Sequence, residues 1–126
     1  MFGSLLIYDS LGLFILRLVI AIIFAYHCLP KLKNSKAMAS GMGMSATFVL
    51  WLGLVELFGA ITMVTGLYAQ LGALLLSIVM LGAIYHKIYK WKVPFAAMDK
   101  TGWEFDLMLL ASNILILFTG SGTIKI

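Results

Sequence analysis

The chain carries very little charge. Of its 126 residues, 11% are charged and only five are acidic. Soluble domains carry roughly a quarter charged residues, so a water-facing globule is excluded. A single cysteine, Cys28, excludes an internal disulfide, and with no CxxC pair a self-contained thiol–disulfide centre is excluded as well. The lysines sit beside apolar spans, where lipid headgroups explain them better than an RNA surface does, so nucleic acid is not an expected partner. No His/Cys/carboxylate spacing points to a zinc site. Gly41-Met42-Gly43 follows no strand pattern and lacks a phosphate-loop lysine, so no nucleotide role is assigned to it. The opening MFGSLLIYDS has neither Lys nor Arg, and no small-residue cleavage site follows a short apolar core. No signal peptide is expected, and the first apolar span should stay in the mature protein.

What the chain has instead is apolar sequence: 63% hydrophobic residues and a mean hydropathy of +1.07. The pattern predicts one all-α integral membrane domain over residues 1–126, with spans at about 11–29, 46–67, 69–86 and 103–119. Pro30 and the lysines after it should end the first helix. Ser45 is a plausible N-cap for the second, and Gly120 and Gly122 should end the fourth. The turn between the second and third spans is too short for anything but an antiparallel hairpin. The expected architecture is an up-down-up-down four-helix bundle with both termini on one side. Lys31, Lys33 and Lys36 mark the first connection, and Lys87, Lys90, Lys92 and Lys100 the third. Only Lys125 falls on the opposite side. The positive-inside bias then places the lysine-rich connections in the cytoplasm and both termini outside a bacterial-type plasma membrane. In HKIYKWKVPFAAMDKTGW, lysines mix with aromatic residues. That suits either an interfacial anchor in the lipid bilayer or a dock for a soluble redox partner.

Polar groups inside the spans are the candidate site. Arg17 and Glu56 lie within apolar runs, where a charge costs roughly 2.5–3.5 kcal/mol on insertion scales. At 1.5 Å rise per residue, Arg17 lies roughly 9 Å, Glu56 roughly 16 Å and Asn113 roughly 10 Å from the outer side. The expectation is that these three meet near the midplane, either as a buried register-setting salt bridge or as a polar pocket or proton relay. Small residues should line the inner faces: Ala21, Ala25 and Cys28 with Arg17; Gly53, Gly59 and Ala60 with Glu56; Ala69, Ala73 and Ser77. Gly59 and Ala73 can equally pack between protomers of a homo-oligomer. A second polar cluster should form at the cytoplasmic ends, from Tyr26, His27, Cys28 and Lys31, from His86 and Lys87, and from Glu104 and Asp106. Glu56, His27 and Asp106 are candidates for proton exchange. Arg17, Lys31, Glu104, Asn113 and Cys28 are candidates for binding. A haem between His27 and His86 is not expected, because both sit at span ends where water competes.

LRLVIAIIFAYHCLPKL resembles the first-helix signature of DoxX-type proteins through Arg17, Phe24, His27 and Lys31. Glu56, Gly59, Gly66 and Leu67 match the second-helix signature. Gly102, Trp103, Glu104, Phe105 and Asp106 match part of the fourth-helix opening. Cys28, Ala60 and Thr101 stand where the pattern has glycine. The resemblance runs from about Leu11 to Gly122 and implies a four-helix membrane protein. It further implies a small subunit of a quinone-linked oxidoreductase, or of a membrane complex handling thiol and oxidative stress. Quinone is then the expected cofactor class. A non-enzymatic scaffold or assembly factor, and a small transporter of lipids or small molecules, remain the alternatives.

Overall fold

In a computed structural model the described residues are 2–96, 98 and 101–125. Among them the secondary structure is helical, with no strand. A 3-10 turn, Gly3–Tyr8, leads into α1, Asp9–Lys33. A short α2, Ser35–Met42, follows, then α3, Ala46–Thr65, and α4, Ala69–Tyr85. A π-helical stretch, His86–Lys90, extends α4, and α5 spans Trp103–Thr119. Three helical stretches are long and apolar enough to cross a membrane: 3–33, 46–65 and 69–90.

One expectation about a helix end needs revision, and the first connection holds a short helix. Pro30 does not end α1; the helix runs on to Lys33, and the Pro30 carbonyl accepts the Asn34 amide at 2.8 Å. A proline removes one amide donor from the ladder, but here one further turn still forms behind it. The connection after α1 is also not plain loop. Residues 35–42 coil into α2, which ends at Gly43 with φ 70°. Lys100, one of the lysines used to orient the chain, lies outside the described residues.

The predicted cap at Ser45 is present. Its hydroxyl accepts the Phe48 amide at 3.2 Å, satisfying one of the amides left unpaired at a helix start. Ser45→Ala should therefore lower stability by about 1 kcal/mol, measurable as a small downward shift in thermal unfolding in detergent. Ser45→Asp, which keeps a capping oxygen, should not show the shift.

The small-residue faces are where the helices meet. A Cβ placed on Gly59 would come within 2.5 Å of Leu76, and one on Gly72 would strike the Thr62 hydroxyl. These two contacts bring α3 and α4 together as an antiparallel hairpin, closed by left-handed Gly66 and Tyr68. Lys31 lies by Gly53 and Arg17 by Gly66, so α1 and α3 also run in opposite directions. Gln70 of α4 donates to the Leu117 carbonyl of α5 at 2.9 Å. The interior holds Ile20, Phe24, Met63, Leu76, Leu109 and Ile116. The exterior is equally apolar, with Ile22, Trp51 and Phe118 exposed. Apolar surface outside and polar groups within suit a chain solvated by lipid, where close backbone approach and polar contacts hold helices together.

Candidate functional site

The two acids expected to matter are both buried, and both are paired with lysine. Lys31 Nζ donates to Glu56 Oε1 at 3.0 Å and Oε2 at 3.1 Å, and to the His27 carbonyl at 3.4 Å. Lys87 Nζ lies 2.6 Å from Asp106 Oδ2, off hydrogen-bond angle but at ion-pair distance, and donates to the Thr101 carbonyl at 3.2 Å. One pair joins α1 to α3. The other joins the π-helical end of α4 to α5.

The expected Arg17–Glu56 pair does not form. Arg17 is fully buried, but Nη2 donates to the Ile124 carbonyl at 2.6 Å and the guanidinium sits 5.2 Å from the Phe14 ring centroid. Its head packs against Gly66, ten residues and so about 15 Å along α3 from Glu56. The reason is directional. Helical side chains lean toward the N-terminus of their own helix. That carries Arg17 away from Glu56 and, fourteen residues later, carries Lys31 back toward it. Depth measured along the axis from the Cα atoms misses this displacement. Asn113 joins neither group; its amide donates to the Leu109 carbonyl at 2.8 Å.

The two ion pairs lie in the wall of one cavity of about 630 Å³. His27 of α1 and His86 at the end of α4 also line it, as do Phe24, Phe48, Trp91 and Phe105. Met38, Met42 and Met44, on and just after α2, close one side. Methionine adapts its shape and suits a wall that accepts varied apolar groups. Nδ1 of His27 is 2.8 Å from the Ile23 carbonyl, and Nδ1 of His86 is 2.8 Å from the Gly82 carbonyl. A carbonyl only accepts, so Nδ1 carries the hydrogen in both rings. The Nε2 edge is the one turned from the helix backbone. Phe48 and Ile78, at the rim, are more than half exposed, so the cavity meets the lipid-facing surface.

Of the candidate residues, Glu56, His27, Asp106 and Lys31 come together here. Cys28 is fully buried, does not line the cavity, and its thiol donates to the Ala25 carbonyl at 3.2 Å. Glu104 is exposed, on a shallow depression with Phe95 and Met108. Among the described residues no cluster of three His, Cys, Asp or Glu side chains fits a metal ion. Sequence reading missed the partner of Glu56, whereas Lys87 and Asp106, expected in one polar cluster, do meet. Lys31, four residues after His27, was the available signal for Glu56. Lys87, next to His86, was the signal for Asp106.

No curated protein and no solved structure matches the chain. The DoxX family profile matches residues 12–89, which covers α1 through α4 and nearly all of the π-helical extension. The chain belongs to the DoxX family of membrane proteins.

Proposed function

We propose that this chain is the small membrane subunit of a quinone-linked oxidoreductase, or of a complex handling oxidative or thiol stress, and that its cavity takes the lipophilic carrier. The observation that carries this reading is the cavity. Its size lies within the range of small-molecule sites, roughly 300–1,000 Å³. It is aromatic-walled, open toward lipid at Phe48 and Ile78, and polar where His27, Glu56 and Asp106 approach it. A ring head group fits against the aromatic faces, with its apolar tail in the bilayer. His27, Glu56 and Asp106 are then the groups for exchanging its protons.

In this reading α5 is a fourth span. Its 17 residues reach about 26 Å at 1.5 Å per residue, slightly short of the hydrocarbon thickness of about 30 Å. The four helices form an up-down-up-down bundle with both termini outside and the lysine-rich ends in the cytoplasm. Lys33, Lys36, Lys90 and Lys92 are exposed and offer a basic face to a soluble redox partner. Electrons leave through that partner or through another subunit.

The test is a reduced-minus-oxidised absorption spectrum of the protein purified in mild detergent. A quinone difference band at near-stoichiometric level is the expected result. A flat spectrum with intact helix content would sink the reading. It would favour a scaffold, in which Lys31–Glu56 serves only to bolt α1 to α3, or a transporter.

A further inference from the structure

We infer that the cavity selects the reduced, dihydroxy form of a neutral ring compound over its dicarbonyl form. The inference rests on the cavity holding such a ligand, and it follows from which hydrogen-bonding groups are already spent. The Lys31 ammonium has three hydrogens, and all three have partners: both oxygens of Glu56 and the His27 carbonyl. Lys87 donates one hydrogen to the Thr101 carbonyl and lies at ion-pair distance from Asp106. Both lysines are matched by a carboxylate, so the site has no surplus positive charge to hold an anionic head.

The two histidines are spent in the opposite sense. Each uses its hydrogen on a carbonyl one turn back in its own helix. In the neutral ring the group left over is Nε2, a pure acceptor. His27 stands on α1 and His86 at the far end of α4, so the acceptors come from two different walls. The donors that remain are the other hydrogens of Lys87, the Trp91 indole N–H and the Thr101 hydroxyl; all lie at the His86 end, since the Thr101 carbonyl accepts from Lys87. A dicarbonyl ring therefore finds a donor at one end only. A dihydroxy ring finds an acceptor at both ends, without displacing either ion pair. The His27 ring lies 5.8 Å from Phe105 and the His86 ring 5.4 Å from Trp91. Each acceptor thus sits beside an aromatic side chain against which a ring can lie. Sites that offer hydrogen bonds to a hydroxyl discriminate strongly against analogues that lack it.

The experiment compares a decyl-tailed benzoquinone with the same molecule reduced to hydroquinone. Binding to the detergent-purified protein is measured anaerobically by calorimetry. The hydroquinone should bind about 10-fold tighter, the scale expected for one to two net hydrogen bonds. His27→Phe and His86→Phe should each lower that ratio about threefold or more, through loss of hydroquinone affinity. Equal affinity of the two forms in the unmodified protein would overturn the inference while leaving the cavity as a ring-binding site. A ratio unmoved by both substitutions would also overturn it. If neither form binds a protein with intact helix content, the ligand reading of the cavity falls, and this inference falls with it.

Discussion

Glu56→Gln should destabilise the protein by about 3–5 kcal/mol, the cost of leaving a buried charge without its partner. The Glu56 side chain is 3% exposed and that of Lys31 11%. The ammonium that loses its carboxylate is therefore left largely shielded from water. An amide can still accept one hydrogen bond but does not neutralise the charge. Replacing both partners should be far milder. Buried ion pairs exchanged for apolar residues of similar volume are often neutral in stability, so Lys31→Met with Glu56→Met should return most of the loss. The check is unfolding in a detergent titration across Glu56→Gln and the double variant. If Glu56→Gln unfolds like the unmodified protein, the pair is not what holds α1 to α3. The double variant also separates architecture from chemistry. If the unmodified protein binds quinone, a folded Lys31→Met/Glu56→Met protein that does not would show that the pair serves the ligand as well as the fold.

The second large effect is expected at Gly72. A Cβ there would strike the Thr62 hydroxyl, and that hydroxyl is itself held, donating to the Gly59 carbonyl at 2.7 Å. Valine adds two further methyl groups against α3. The helices must separate, and Gly59 would lose its close contact with Leu76 one turn away. Gly72→Val should cost about 3 kcal/mol, at the upper end of ordinary overpacking. Adding Thr62→Ala should recover part of that loss, because the struck oxygen is gone. Gly82 is the internal control: a Cβ there meets nothing within 4 Å, so Gly82→Ala should leave stability unchanged or slightly raised. Thermal unfolding of the three variants in one detergent decides it. A Gly72→Val protein as stable as the control would mean that α3 and α4 are not in close contact at this point.

The helix bodies were legible because hydropathy and small-residue spacing act within one helix. The stretches around Glu56, Ala73 and Asn113 announce both a span and its inner face. Helix extents of 46–65, 69–85 and 103–119 therefore lie close to the expected spans. What the sequence concealed were quantities that depend on a second helix. Glu56 has two basic candidates on α1, fourteen residues apart, and apolar runs alone favour Arg17 because it lies deeper. The lean of side chains toward the N-terminus reverses that choice. Lys31 also looked like the first residue outside the membrane, since Pro30 reads as a stop. The helix continues past the proline, and the lysine turns inward. The π-helical step at His86–Lys90 leaves no mark in composition either. Single π turns often coincide with functional positions, and this one carries both a histidine and a lysine to the cavity wall.

The Lys31–Glu56 bridge also has a consequence for how the protein is built. Its two ends are 25 residues apart in sequence, and synthesis delivers α1 before α3. Until α3 arrives, a lone ammonium is best kept at the headgroup layer, its methylenes stretched toward water. Glu56 faces the same difficulty in a solitary α3, deep among acyl chains. Each helix is then expected to insert at a provisional depth until its charge finds its partner. When the two meet, the charges cancel and both helix ends can be drawn to their mature level. The α1–α3 half of the cavity's polar wall should thus form at the step that seats these helices, and the Lys87–Asp106 half once α4 and α5 follow. A half-assembled chain would offer only half of that polar wall.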